Sequence, residues 1–273
     1  MTNFTSQTLM SPTNQPYAFF PAKILSFVDE TAIDRTFELE YTGNLQIGQF
    51  FQVSVPGVGE APISISEYRE GHLFMTIRRV GRVTDVIFDL KVGQNLFLRG
   101  SYGNGFLTEN FVGSPVTVIA GGTGLAPVRG LIERLSHIQP ESLELMVGFK
   151  SMADRLFVDT LQNWESKFKA KVTLDREETG WDGLTGLVTT HMDLLSFKDA
   201  KVRKYVVVGP PIMMKFVLIE LLKRKVPEEN IIVSFERNMS CGIGKCGHCK
   251  IDETYVCLEG PVFSYVKAKH LID

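Results

Sequence analysis

Excess charge of either sign is missing from this sequence. Its 29 Lys and Arg residues face 31 Asp and Glu residues, a formal net charge of −2 over 273 residues. Such a balance gives no global attraction to nucleic acid or to an anionic membrane surface. Long apolar runs are missing too. The longest candidates, Tyr205 to Met214 and Phe216 to Leu222, are broken by Gly209, Pro210, Pro211, Lys215 and Glu220. A membrane helix needs ~18 uninterrupted apolar residues. The first sixteen residues have neither a basic stretch nor an apolar one. Their Ser, Thr, Asn, Gln and Pro content reads as a flexible arm over 1–16, not a signal peptide. Cysteine is scarce: the chain holds four, all between Cys241 and Cys257. A disulfide scaffold would spread them through a smaller secreted domain. These absences point to a cytoplasmic protein with no membrane span and no nucleic-acid partner.

What remains is an ordinary globular composition, 44% hydrophobic and 22% charged, with room for two domains of roughly 150 residues each. From 17 to 110 the pattern is short alternating runs bounded by Gly and Pro. Ala22 to Val28, Arg35 to Tyr41, Phe50 to Val55, His72 to Arg78 and Asn95 to Arg99 read as strands. With only one helical interruption, near Thr84 to Leu90, they predict a small antiparallel barrel. From 111 to 235 the rhythm changes to strands alternating with helices. Val116 to Ala120, Leu143 to Phe149, Lys171 to Asp175, Tyr205 to Gly209 and Ile231 to Phe235 are separated by helix-like stretches such as Ala126 to Ser136, Phe157 to Phe168 and Ile212 to Lys225. That alternation predicts a doubly wound parallel sheet, an α/β domain. The last segment, 236–273, holds the cysteines and little helical pattern.

The cysteines spell C-x4-C-x2-C-x7-C: Cys241, Cys246, Cys249 and Cys257. The spacings of the first three cysteines are those of plant-type 2Fe–2S ligation, in which thiolates reach two irons from one tight loop. Gly242, Gly244 and Gly247 let the backbone wrap closely and aim N–H groups at sulfur. A structural zinc knuckle and unligated cysteines stay open as alternatives. Zinc sites usually pair their ligands at short spacing twice, and here only Cys246 and Cys249 form such a pair. His248, between two of the cysteines, is expected beside the cluster and not on it.

Two glycine turns follow strands of the α/β domain. Gly121, Gly122, Thr123 and Gly124 lie between Val116–Ala120 and the helix from Ala126, a junction that offers free N–H groups and a helix dipole to a phosphate. Gly209, Pro210 and Pro211 end the strand beginning at Tyr205. Both turns belong at the carboxyl edge of an open sheet, where dinucleotides bind. Asp175, ending the third strand, stands either to meet a ribose hydroxyl or as a turn residue. With no Arg/Lys pair there for a 2′-phosphate, NAD is favoured over NADP. A third constellation lies in the barrel: Ala61 to Ser66, and Thr76 to Thr84 with Arg78, Arg79, Val80, Gly81, Val83 and Thr84. Gly81 to Thr84 form a second N-terminal phosphate cradle, or Pro62 and Gly81 are turn residues and the arginines simply solvated.

Barrel, parallel α/β domain and C-terminal cysteine loop, in that order, resemble the ferredoxin–NADP reductase superfamily. The residues that carry the resemblance are Gly59 to Ser66, Arg79 to Thr84, Gly100 to Phe106, Ala120 to Gly124, Val208 to Met213 and Glu236 to Cys249. The branch it looks like contains dihydroorotate dehydrogenase electron-transfer subunits, sulfhydrogenase gamma subunits and anaerobic sulfite reductase B subunits. The resemblance implies FAD in the barrel. Pro62, Ile63, Ser64 and Ile65 would line its isoalloxazine, with Ser64 near N5, and Gly81, Val83 and Thr84 would hold its pyrophosphate. The superfamily's R-x-[YF]-[ST] arginine is Ala61 here, which makes Arg78 or Arg79 the substitute. Val208 replaces a cysteine found in many reductases, so no catalytic residue is named. The chain's length and its Gly-Glu-Ala-Pro-Ile-Ser-Ile-Ser-Glu-Tyr68 stretch look nearest to the sulfite reductase subunits. The implied activity is oxidation of NADH through FAD and a 2Fe–2S cluster. The implied partners are an iron–sulfur electron carrier and a sirohaem catalytic subunit that reduces sulfite to sulfide. A sulfhydrogenase gamma subunit, another NAD(P)H:ferredoxin-type reductase and a zinc-binding regulator are the alternatives.

Overall fold

The computed structural model describes residues 15–271. The expected arm over 1–16 lies outside them, except for Gln15 and Pro16. The chain divides into two compact units.

The first unit is a closed antiparallel barrel. It contains β1 (Phe20–Asp29), β2 (Asp34–Glu40), β3 (Phe50–Val55), β4 (Gly59–Arg69), β5 (His72–Arg78), helix α1 (Arg82–Asp89) and β6 (Asn95–Tyr102). The strand order around the barrel is β1-β2-β5-β4-β3-β6, closed where Phe20 of β1 pairs with Leu98 of β6. Period-two alternation is clearest in β5, where Leu73, Met75 and Ile77 are wholly buried at every second position; in β3 Phe51 and Val53 are wholly buried, and so is Gln52 between them. β4, the longest strand, is one that runs of alternating residues did not reveal, because Gly59 and Pro62 read as turn residues. Pro62 nevertheless sits in register opposite Gln52 of β3. A register shift between Ile65 and Glu67 lets the strand pass from β3 to β5.

The second unit is built on a seven-stranded sheet. Its elements are β7 (Val116–Gly121), α2 (Ala126–Ile138), β8 (Leu143–Phe149), α3 (Val158–Lys167), β9 (Lys169–Leu174), β10 (Leu184–Thr185), β11 (Lys204–Val208), α4 (Pro211–Lys223) and β12 (Ile231–Ser234). The order is β10-β9-β8-β7-β11-β12-β15, where β15 is Val262–Ser264. From β10 to β12 the pairings are parallel. Every residue of β7 and β8 is buried, as expected of strands covered on both faces. Val188–Leu194 forms 3-10 turns.

The C-terminal segment 236–273 is not a body of its own. Glu236–Val262 groups with the barrel, and Phe263–Asp273 groups with the sheet unit. The cysteine part carries a small hairpin, β13 (Lys250–Ile251) and β14 (Thr254–Tyr255), and the short α5 (Val256–Glu259); α6 (Tyr265–Ala268) follows β15. The expected boundary at 110/111 falls between Phe106 and Leu107, and Asp29–Asp34 also belongs with the sheet unit. Among the described residues, no helix is long and apolar enough to cross a membrane.

Candidate cofactor sites

In the sheet unit the strand order reverses at β7: β8, β9 and β10 lie on one side, β11 and β12 on the other. The crevice at the carboxyl ends of β7 and β11 is therefore the topological switch point. Gly121 ends β7, and Gly122–Leu125 form a 3-10 turn that runs straight into α2. No side chain caps α2 and its first N–H, of Ala126, bonds back to Thr123 O, so the N–H groups at the start of the Gly122–Leu125 turn are the ones left to face an anion. Gly122 has φ +52 with open space where a Cβ would stand. On the other bank, Gly209 has φ +158 and its missing Cβ would meet Gly121 N at 3.1 Å. Pro211 begins α4, where a missing N–H costs nothing. Gly121, Gly122, Thr123, Gly124, Gly209, Pro210 and Pro211 are thus gathered at one edge. Asp175 is exposed just past β9, its N–H bonded to Phe149 O of β8 at 2.9 Å. It stands on the same edge, two strand spacings or roughly 10 Å from Gly121.

In the barrel unit, Pro62, Ile63, Ser64 and Ile65 lie together on β4. Ile65 is wholly buried in the core, while the other three are half-buried. Arg78 ends β5, and the turn into α1 follows. There Thr84 Oγ1 accepts from Val80 N at 2.9 Å and Gly81 N at 3.1 Å and donates to Gly81 O at 3.0 Å. The Gly81 amide expected in the phosphate cradle, and the Val80 amide beside it, are therefore already used, and the N–H groups of Arg82, Val83 and Thr84 are the ones left by helix geometry. Val83 lies against Gly59. Arg79 is exposed and paired with Asp85 at 2.8 Å.

The cysteine loop wraps sulfur in backbone donors. Ile243 N, Lys245 N and Cys246 N reach Cys241 Sγ at 3.5, 3.3 and 3.4 Å, and Gly244 N reaches Cys257 Sγ at 3.2 Å. Burial raises the Cys241 thiol, but these N–H groups outweigh it and bring its pKa down to about 6. Burial beside Cys249 pushes Cys257 up to about 12. Cys246 contributes to the first shift, and Cys249 and Cys241 contribute to the second. Among the described residues no three His, Cys, Asp or Glu side chains close on a single point. Gly242 and Gly244 have φ +76 and +69, and a Cβ at Gly242 would stand 2.6 Å from Tyr102, so the loop is tight because it must be. A soft, all-thiolate donor set with N–H groups at sulfur fits an iron–sulfur cluster. His248 bonds Ser240 Oγ through Nδ1 at 2.6 Å and is exposed.

Two residues that motif reading did not find, Gln52 and Arg99, hold this loop on the barrel wall, and a third residue, Tyr102, backs Arg99. Gln52 and Arg99 stand beside Pro62 in one cross-strand row of β6, β3 and β4. Gln52 Nε2 donates to Met239 O, and its Oε1 is the one buried side-chain oxygen with no partner among the described residues. Arg99 donates to Cys241 O at 2.6 Å and also to Ser240 O. Tyr102, the third, accepts from Arg99 at 3.0 Å and donates to Pro16 O. A cavity of about 430 Å³ opens beside this row, lined by Glu60, Pro62, Asn238, Met239, Ser240 and His248. The only sequence signal was a polar Gln and Arg at alternating strand positions with no solvent-facing pattern.

Comparison with known proteins agrees with both halves. Residues 118–218 match the oxidoreductase NAD-binding domain family, and residues 236–268 match the iron-sulfur cluster binding domain of dihydroorotate dehydrogenase B. The chain is 34% identical to sulfhydrogenase 1 subunit gamma of Pyrococcus furiosus, over 94% of each chain. The chain belongs to the ferredoxin reductase-like NAD-binding oxidoreductases with an iron–sulfur domain of this type. A second relative of that family, a probable dihydroorotate dehydrogenase B (NAD(+)) electron transfer subunit of Methanocaldococcus jannaschii, is 31% identical over 91% of each chain. A solved NADH-dependent reduced ferredoxin-NADP oxidoreductase superposes with a TM-score of 0.75 at 26% identity, covering 90% of this chain and 88% of the other. The family is one of oxidoreductases, and this chain is an NAD-binding member with an iron–sulfur domain.

Proposed function

We propose that the chain is the electron-transfer subunit of an anaerobic sulfite reductase, oxidising NADH through FAD in the barrel and a 2Fe–2S cluster in the cysteine loop. The observation that carries the electron path is a loop of four cysteines, with backbone N–H groups aimed at the sulfurs of Cys241 and Cys257, tied by Arg99 and Gln52 to the wall that bears the flavin-motif strand. FAD, when bound, accepts electrons two at a time and passes them on singly to an iron–sulfur centre.

The chain's own residues bind and orient. The α2 N-terminus with Gly121, Gly122, Thr123 and Gly124 would take the dinucleotide pyrophosphate; Gly209, Pro210 and Pro211 would bound the nicotinamide end, and Asp175 would hold a ribose. Pro62, Ser64 and the backbone of Ile63 and Ile65 would face the isoalloxazine. Val83 and Thr84 amides, with Gly81 giving clearance and Arg78 the charge, would take the FAD pyrophosphate. Cys241, Cys246, Cys249 and Cys257 would ligate the cluster. That uses every cysteine in the chain, so a sirohaem centre and the reduction of sulfite belong to other subunits. The Gly59 to Tyr68 stretch supports the sulfite acceptor. The 34% identity to two Pyrococcus furiosus sulfhydrogenase gamma subunits favours a second acceptor, a hydrogenase.

The test is an anaerobic visible spectrum with and without NADH, beside iron and sulfide analysis. Flavin and iron–sulfur bands bleached by NADH support the path; a colourless zinc protein without NADH response overturns it. NADH-dependent sulfide production by the co-purified complex then separates the sulfite acceptor from one evolving hydrogen.

A further inference from the structure

A buried cation stands behind the cysteine loop. Arg99 exposes only 5% of its side chain, and its guanidinium lies 5.5 to 5.8 Å from the ring centres of Tyr17, Phe19 and Tyr102. One side of the fork is held by Glu60 Oε2, at 3.0 Å from Nε and 2.6 Å from Nη2. The other side donates to the main-chain oxygens of Ser240 and Cys241. The ion pair is therefore oriented, its positive end on the backbone of a cysteine and its negative end one residue before Ala61-Pro62.

We infer that Arg99 and Glu60 form an oriented ion pair that positions the cysteine loop and sets the reduction potential of the cluster it holds. The inference rests on the iron–sulfur reading above. Reducing a cluster adds one negative charge to it. A cation fixed nearby in a poorly hydrated wall favours that step, and a carboxylate disfavours it. The fork geometry is specific to Arg: Lys keeps the charge but cannot bridge Glu60 and two carbonyl groups at once. Glu60 neutralises part of the charge and so moderates the effect. The two residues act on the potential in opposite directions although they support the same loop.

This sign difference separates tuning from scaffolding. The experiment is a potentiometric titration of the cluster, followed by electron paramagnetic resonance, in the full chain and in Arg99→Gln, Arg99→Lys and Glu60→Gln. Arg99→Gln is expected to make cluster reduction roughly tenfold less favourable, a shift of about 59 mV downward for one electron. Glu60→Gln is expected to shift it upward, and Arg99→Lys to fall between Arg99→Gln and the parent. Iron content of each variant is measured first. A parent chain with zinc or without iron overturns the iron–sulfur reading and this inference together. An iron-loaded parent whose variants keep the parent's potential, or move it in one common direction, overturns this inference alone.

Discussion

Gly124 and Gly209 lie back to back: a Cβ built on Gly124 would stand 2.7 Å from Gly209 Cα and 2.7 Å from the Val208 carbonyl oxygen. Both neighbours are backbone and cannot swing aside, so Gly124→Ala has to part the turns after β7 and β11. The expected cost is about 1–3 kcal/mol, with NADH affinity falling at least tenfold. Both tryptophans, Trp164 and Trp181, lie in the sheet unit, so their fluorescence follows its unfolding and a NADH titration reads the site.

Gly81 offers the opposite test. Its backbone is extended, with φ 170 and ψ −175, and open space surrounds its missing Cβ. Gly81→Ala is expected to leave stability within about 0.5 kcal/mol while weakening FAD, because the methyl group would stand in the proposed pyrophosphate site. Flavin fluorescence during reconstitution of the apoprotein gives the affinity. Unchanged affinity would move the phosphate site away from this turn.

On the proposed reading, nucleotide choice turns on Asp175. Asp175→Ala is expected to raise the KM for NADH roughly tenfold, about 1.4 kcal/mol, and to leave that for NADPH nearly unchanged. Parallel kinetics with both nucleotides and a one-electron acceptor decide it. Equal effects on the two would make Asp175 a turn residue.

Cys246 is exposed, so its replacement leaves the barrel core untouched. Cys246→Ser is expected to lose most of its iron while NADH still reduces the flavin. Stopped-flow absorbance separates the two events, and iron analysis confirms the first.

Acid stability should depend on Glu144, buried in the sheet unit. Burial raises its pKa, but hydrogen bonds from Lys169 at 2.6 Å and Ser196 at 2.6 and 3.0 Å, with Arg203 nearby at 3.4 Å, bring it below the usual carboxylate range. Thr117 Oγ1 adds a donor at 3.0 Å. A lowered folded pKa stabilises fully above the unfolded value of about 4.3 and is lost as pH falls below it. Glu144→Gln is expected to cost about 3 kcal/mol at neutral pH and to flatten the loss of stability below pH ~4. Tryptophan-monitored denaturation across pH gives both.

The sequence revealed what periodicity and local chemistry encode. Alternating residues in His72 to Arg78 reported a barrel strand because one face meets the core. The buried runs at Val116 and Leu143 reported a covered parallel sheet. Cysteine spacing reported the iron–sulfur domain because its four thiols come from one short loop. Pairing across strands was not legible. Arg99 and Gln52 reach Cys241 and Met239 over more than 140 residues of chain, and no local pattern marks such an interaction. The occupation of Val80 and Gly81 amides by Thr84 was hidden for another reason: a hydroxyl three residues into a helix reads the same whether it faces a phosphate or its own turn.

The chain leaves the barrel after Phe106, returns to it at Glu236 and departs again after Val262. No single cut yields two complete halves. Cutting at 107 strips the barrel of its cysteine loop, and cutting at 236 takes β15 from the sheet. Gene fusion or recombination at one junction would therefore scramble both folds. A new cluster loop has to be exchanged as an internal cassette between Glu236 and Val262, with both ends rejoined at once. Interleaving of this kind means that the barrel and its cysteine loop are inherited together or not at all.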